Sequence, residues 1–303
     1  MRAIPVIYVH WGNSDYLKYT FRQTKYFNSD SRIIFLGDET NNKYKEVEHY
    51  NILDYSKSAD AFDKIYKHLC FLSQYYVLFW FKRWFIIKDF LETRKDIDDF
   101  LYVDSDVLLF CNVSEVFSRY KHYSLSLNGE RGPQYTYFNS KDSLNDFCNF
   151  VTRLYTEPAL FSNLIEKYRT HQIHSLPGGV DDMHAFYEYR TQTKKEIGDT
   201  AQEMNETVFD GCFNVSEGYE FDNSSQTKQI YWKNEIPYVF NIKKEKILRL
   251  NAIHFQGPSK KLMHKFYSGK DLFLAKIISD YHYNILLPIK TMYGKYLTTH
   301  NDK

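Results

Sequence analysis

Charge of one sign is the first thing missing from this chain. Its 39 Lys and Arg stand against 38 Asp and Glu, a formal net charge of +1 over 303 residues. Nucleic acids and anionic membrane surfaces are met by a basic field. None is available here, so a nucleic-acid partner is excluded. Cysteine is scarce as well: Cys70, Cys111, Cys148 and Cys212 are scattered, with no CxxC and no zinc-type spacing. That reads as free thiols in a reducing compartment. No apolar run is long: the longest uncharged one, residues 69–81, falls well short of the roughly 20 residues a spanning helix needs. Met1-Arg2-Ala3 leads straight into a strand-like run, without the basic region, apolar stretch and cleavage site of a secretory leader. The sequons at Asn205 and Asn214 are then accidental. The chain reads as cytoplasmic, with peripheral contact at the inner face of a membrane, through a terminal helix, as the most it would make. Internal repeats, low-complexity tracts and an interdomain linker are absent too.

Aromatic residues are abundant, with 27 Tyr and 24 Phe, and hydrophobic residues make up 43%. That content is ample for a packed core. Ile4–Val9 and Arg32–Leu36 are continuous apolar runs of the kind found in buried parallel strands, the first closing on His10-Trp11-Gly12-Asn13 and the second on Gly37-Asp38. From about Asp60 to Glu92, Ile65, Leu69, Leu72, Tyr76 and Phe79 recur at helical spacing and predict one helix with a core-facing stripe. Strands follow over Phe100–Val103, Val107–Phe110 and Tyr123–Leu127, then helices around Ser143–Tyr155, Phe161–Thr170 and Asp181–Arg190. Gly198–Tyr238 is polar and reads as a loop-rich excursion; Lys246–Ala252 is a strand and Lys270–Tyr283 a terminal amphipathic helix. The expected class is a single α/β domain with a mostly parallel central sheet flanked by helices.

Chemistry concentrates in Leu101-Tyr102-Val103-Asp104-Ser105-Asp106-Val107-Leu108-Leu109. Two carboxylates framed by apolar runs must lie at a strand end or meet a cation, because an uncompensated buried carboxylate is costly. In open α/β sheets ligands collect at the carboxyl ends of strands. Hard divalent ions favour carboxylate oxygen and bridge to phosphate oxygens. The alternative is an ordinary surface turn. Late in the chain His254-Phe255-Gln256-Gly257-Pro258-Ser259-Lys260 offers an imidazole, a sharp turn and a cation. Arg83 falls on the core-facing stripe of the expected helix, where a charge needs an anionic partner: a phosphate, or an Asp or Glu in a buried ion pair.

An Arg-bearing helix, then FLYVDSDVLLF, then HFQGPSKKL resembles the nucleotide-sugar glycosyltransferases of the GT-A fold, especially the retaining glycogenin and galactosyltransferase-like group, whose late motif reads His-Phe-x-Gly-x-x-Lys. His254, Phe255, Gly257 and Lys260 match it; the Pro-Trp that usually follows is Lys261-Leu262 here. The likeness covers the N-terminal strands through the Asp pair and the late patch, and is weak over residues 130–240. It implies a GT-A (Rossmann-like) domain, with residues 1–127 as the nucleotide-sugar half, 128–265 as the acceptor half and 266–303 as a helical tail. It further implies Mn2+ (or Mg2+) held by Asp104, Asp106 and His254 and bridging the diphosphate of a UDP-sugar donor, with Ser105 and Gly257 beside it. Lys260 and Arg83 would neutralise the leaving diphosphate, and His10, Trp11, Gly12, Asn13 and Asp38 would cradle the nucleoside. Asp182, or Asp181 next to it, would face the donor sugar or acceptor; the other reading of this pair is a helix N-cap. The acceptor would be a glycan, a glycolipid or a protein. Two rival readings are a haloacid-dehalogenase-like phosphatase using Asp104 and Asp106, and a carbohydrate-binding protein without turnover.

Overall fold

The computed structural model describes residues 2–269, 271–272, 276–277 and 279–280. Its elements in chain order are β1 (Val6–Val9), α1 (Leu17–Phe27), β2 (Ile33–Gly37), β3 (Glu48–Asn51), α2 (Lys57–Asp63), α3 (Gln74–Glu92), β4 (Phe100–Val103) and β5 (Val107–Leu109). There follow α4 (Val113–Phe117), β6 (Leu125–Leu127), β7 (Tyr135–Phe138), α5 (Lys141–Thr156), α6 (Pro158–Ile173), α7 (Asp182–Gln192), β8 (Ile197–Asp199) and β9 (Thr207–Phe209). Last come β10 (Phe221–Asp222), β11 (Thr227–Lys228), β12 (Tyr231–Lys233), β13 (Ile236–Asn241), β14 (Lys246–His254), a 3-10 turn over Gly257–Leu262 and α8 (Met263–Phe266).

The central sheet has the order β3-β2-β1-β4-β7-β6-β8. Strands β3, β2, β1 and β4 run parallel, β7 is antiparallel to both neighbours, and β6 and β8 are parallel again. The expected α/β class holds, with a mostly parallel sheet between helices. In β1, Ile7 and Val9 join one core with Ile34, Leu36 and Tyr102, while Val6 and Tyr8 join another with Ile33, Phe35 and Leu101. Period-two alternation between two covered faces leaves no polar position on an inner strand, which is why these strands read as unbroken apolar runs. Phe62 of α2, Trp84 of α3, Phe147 of α5 and Phe186 of α7 cover the first face. Phe21 of α1 and Phe117 of α4 cover the second.

Two expectations are corrected. The helix drawn from Asp60 to Glu92 is broken: α2 ends at Asp63 and α3 begins at Gln74. Between them the chain pairs with the segment before α7, through Phe71 N–H to Gly178 O at 2.9 Å and Val180 N–H to Leu69 O at 2.8 Å. Gly179, at φ +144°, makes this approach feasible, since a Cβ there would lie 2.5 Å from Leu69 O. Long-range backbone pairing thus overrides helical periodicity, and Leu72 and Tyr76 of the supposed core stripe are exposed. The Gly198–Tyr238 stretch is no plain loop: it carries β9 to β13, of which β12 and β13 join β14 and β5 in a second sheet, with β9 beside β14. Strands of two or three residues leave too short a pattern to be seen locally. No helix among the described residues is long and apolar enough to cross a membrane. The helix expected over Lys270–Tyr283 falls largely outside the described residues.

Candidate active site

The Asp pair occupies the turn by which the chain leaves the central sheet and enters the second one. Asp104 N–H donates to Gln134 O at 3.1 Å on the β7 side, and Val107 N–H closes the turn onto Asp104 O at 3.2 Å. Strand β5 then pairs antiparallel with β14, in a register that sets His254 opposite Val107. Phe255 N–H donates to Asp106 O at 2.9 Å. The imidazole is therefore delivered beside the carboxylate by backbone pairing, with His254 Nε2 3.5 Å from Asp106 Oδ1. Ligand atoms of Asp104, Asp106 and His254 all lie within 4.8 Å of one another. His254 Nδ1 is 2.9 Å from Gly211 O; donating a proton there leaves Nε2 as the nitrogen that faces the acids.

The charges are closely compensated. Lys260 Nζ lies 3.1 Å from Asp106 Oδ2. Burial opposes ionisation of Asp106, but His254 and Lys260 overcome it and hold the carboxyl well below the usual carboxylate range. Burial likewise disfavours imidazolium at His254, yet Asp106 pushes its pKa up to about 9. On the other side, Arg83 donates to Asp104 Oδ1 through Nη1 and to Asp182 Oδ2 through Nη2, both at 2.6 Å. Tyr102 Oη donates to the same Asp104 oxygen at 2.5 Å, and Trp84 Nε1 to Asp182 Oδ2 at 3.0 Å. Arg83 Nε is buried with no hydrogen-bond partner among the described residues. Of the two anionic partners open to Arg83, the structure supplies carboxylates: the buried ion pair is present.

A cleft of about 470 Å³ opens over this cluster. Of the expected residues, His10, Trp11, Arg83, Asp104, Ser105, Asp106, Asp182, His254, Gly257 and Lys260 line it, while Gly12, Asn13, Asp38 and Asp181 do not. Asp38 works one layer back, accepting from Gly12 N–H and from Thr40 N–H, the latter at 2.8 Å, and so shapes the loop after β1. His10 bridges Ser105 Oγ at 2.9 Å and Ser14 Oγ at 3.0 Å; burial pushes its pKa down to about 4, which keeps it neutral. Asp181 is the N-cap of α7, its carboxylate accepting His184 N–H at 2.9 Å. The cap reading thus applies to Asp181; Asp182, 2% exposed, is the one of the pair that lines the cleft.

The sequence reading missed one wall of the cleft. Tyr76, Phe79 and Trp80 line it with Arg83, together with Tyr75. A signal existed: they lie seven, four and three residues before Arg83, hence on its helical face. Tyr76 and Phe79 were expected on the core-facing stripe instead.

No protein-family model matches the chain, and no curated protein does. Among solved structures it is similar to mouse xyloside xylosyltransferase 1, with 9% identity and a TM-score of 0.46 over 65% of this chain and 84% of that one. It is also similar to the galactosyltransferase LgtC in complex with donor and acceptor sugar analogues, with 11% identity and a TM-score of 0.46 over 90% of this chain and all of that one, 100%. A third is a glycosyltransferase involved in glycosylation of the major capsid of PBCV-1, with 11% identity and a TM-score of 0.41 over 87% and 98% of the two chains. At such identities activity has to be read from this chain's own side chains.

Two predictions follow from this geometry. Arg83→Met strands two carboxylates and should lower the urea-unfolding free energy by about 3–5 kcal/mol, with Asp182→Asn recovering part of that in a double-mutant cycle. Wild-type stability in Arg83→Met would remove the ion-pair role. Asp181, raised to about 6 by burial and by neighbouring Asp182 despite opposing help from Arg131, gives a pH signature. A carboxyl raised in the folded state contributes stability below the unfolded pKa of about 4, lost as pH rises through 6. Asp181→Asn, which keeps an acceptor at the cap, should flatten that fall in the free energy of unfolding between pH 4 and pH 7 by about 1–2 kcal/mol; an unchanged profile would refute the assignment.

Proposed function

We propose that the chain is a metal-dependent glycosyltransferase that moves a sugar from a nucleotide-sugar donor to an acceptor hydroxyl. The observation that carries this reading is the convergence of Asp104, Asp106 and His254 to within 4.8 Å, with Lys260 Nζ alongside at 3.1 Å from Asp106. Two carboxylates and an oriented imidazole suit Mn2+, and Mg2+ next. The same convergence favours a transferase over a dehalogenase-like phosphatase, which would leave His254 and Lys260 without a task. The aromatic wall of Tyr75, Tyr76, Phe79 and Trp80 is apolar, as a sugar face or a base requires.

In this reading a divalent ion, when bound, supplies Lewis-acid stabilisation of the diphosphate. The chain's own residues do the rest. Lys260, half-exposed and tethered near Asp106, reaches the diphosphate and balances the charge that grows as the anomeric C–O bond breaks. Arg83 acts indirectly, holding the Asp104 carboxylate in place through its Nη1. Trp11, which lines the cleft and is 44% exposed, stacks on the nucleoside, with Asp38 and Gly12 setting the loop that carries it. Asp182 faces the donor sugar. The His254–Asp106 pair is taken up by the ion in this reading, and no other His–carboxylate pair among the described residues lines the cleft. That suits a retaining front-face course, in which the acceptor oxygen bonds to the anomeric carbon and its proton leaves on a diphosphate oxygen. The resemblance favours a UDP-sugar donor and a glycan, glycolipid or protein acceptor.

The test is a thermal-shift series with UDP, GDP and UDP-sugars, each with and without Mn2+. UDP should raise Tm only when Mn2+ is present, since a ligand that binds the folded state adds to its stability. Asp106→Ala should abolish that dependence. A UDP shift that survives in Asp106→Ala, or that needs no metal, would remove the Asp pair from the site.

A further inference from the structure

Behind His254 lies a charge cluster that the proposed chemistry does not itself use. Lys228, in β11, is 2% exposed. Its ammonium donates to Asp210 Oδ1, to Glu217 Oε2 and to Cys212 O, the last at 2.9 Å. All three N–H donors of the ammonium are thus engaged. Asp210 is fully buried and its other oxygen accepts the backbone N–H of His254 at 3.0 Å. The next residue, Gly211, presents the carbonyl that takes His254 Nδ1 at 2.9 Å and also accepts from Gln134 Nε2 at 3.1 Å. Phe213 N–H donates to His254 O at 3.0 Å, and Lys228 N–H donates to Phe213 O at 2.9 Å. Residues 210–213 are consequently clamped between Lys228 and His254. Glu217 folds over the outside so closely that a Cβ on Gly211 would meet its carboxylate at 2.4 Å.

We propose that Lys228, acting through Asp210 and Glu217, is the positioning residue that fixes the Gly211 carbonyl and thereby aims His254 Nε2 at Asp104 and Asp106. The inference rests on the metal-site reading above and adds residues that neither line the cleft nor touch a ligand. A buried lysine with two carboxylates is costly to keep for stability alone, because apolar replacements of similar volume are often neutral or better. Its placement gives it a second task. An imidazole ligand needs its remote N–H held by an acceptor of fixed position. Here that acceptor sits on a loop with no regular structure of its own, tied to β14 by backbone bonds, to Gln134 Nε2, and to the Lys228 ammonium through Asp210 and Cys212 O.

The experiment compares the wild-type chain with Lys228→Met and Glu217→Gln. Mn2+ is titrated by electron paramagnetic resonance of the free ion, alone and with saturating UDP. Exchange of the His254 Nδ1–H proton with water is followed by NMR without metal. Expected are Mn2+ affinities lower by about 10- to 100-fold in Lys228→Met and by about threefold or more in Glu217→Gln, with faster Nδ1–H exchange in both. Folded variants with wild-type affinity and a slow Nδ1–H would overturn the proposal. Should Lys228→Met fail to fold by circular dichroism, Glu217→Gln decides by the same two readouts. If the wild type binds no Mn2+ with or without UDP, the metal reading fails, and proton exchange alone then decides whether Lys228 positions the imidazole.

Discussion

The arrangement depends on making a concentration of acid tolerable inside the fold. Asp104, Asp106 and Asp182 converge where two sheets meet, and of these Asp106 and Asp182 are buried. Each needs an opposite charge close by, because uncompensated burial of a carboxylate opposes folding strongly. Arg83 serves Asp104 and Asp182; Lys260 and His254 serve Asp106. The compensation is divided between the two sides. On one side the guanidinium is buried, with its two Nη atoms on the carboxylates of Asp104 and Asp182. On the other the Lys260 side chain stays 39% exposed, so it is less confined than Arg83.

Register converts this electrostatic requirement into geometry. Strand β4 ends in the central sheet, β5 begins in the second sheet, and the turn between them is only Asp104–Asp106 long. Because β14 pairs with β5 and not with the central sheet, His254 arrives from the opposite direction and meets the turn head on. A one-residue slip would turn the imidazole to the other face. The apolar core of Leu108, Phe110, Leu250 and Ile253 resists such a slip, since slipping would expose those side chains. The packing of the second sheet and the position of His254 Nε2 are thus one constraint.

Rigidity and access also separate cleanly. The C-terminal half of α3 is buried and holds Arg83 and Trp84 against the sheet. Its N-terminal half projects Tyr75 and Tyr76 into the cleft mouth, at 59% and 61% exposure. One helix therefore holds the charge network in its buried half and leaves aromatic rings exposed at the cleft in the other.

Much of this was legible in the sequence, for local reasons. Unbroken apolar runs mark inner strands whatever their neighbours are, and two acids between such runs must fall at a turn. Asp181 after paired glycines is a good helix cap by its own chemistry. What stayed hidden was decided by contacts between distant segments. The break between α2 and α3 comes from backbone pairing with Gly178–Val180, which no helical period can report. The partners of Arg83 are fixed by how α3, β4 and α7 pack; the sequence could say only that some anion was required. The exposure of Tyr75 and Tyr76 and the clamp of Lys228 on residues 210–213 depend likewise on surroundings assembled from across the chain. The sequence by itself determined which residues carry charge and where the inner strands of the central sheet lie. Tertiary structure alone decided which charges meet, because burial and pairing are properties of a neighbourhood and not of a spacing.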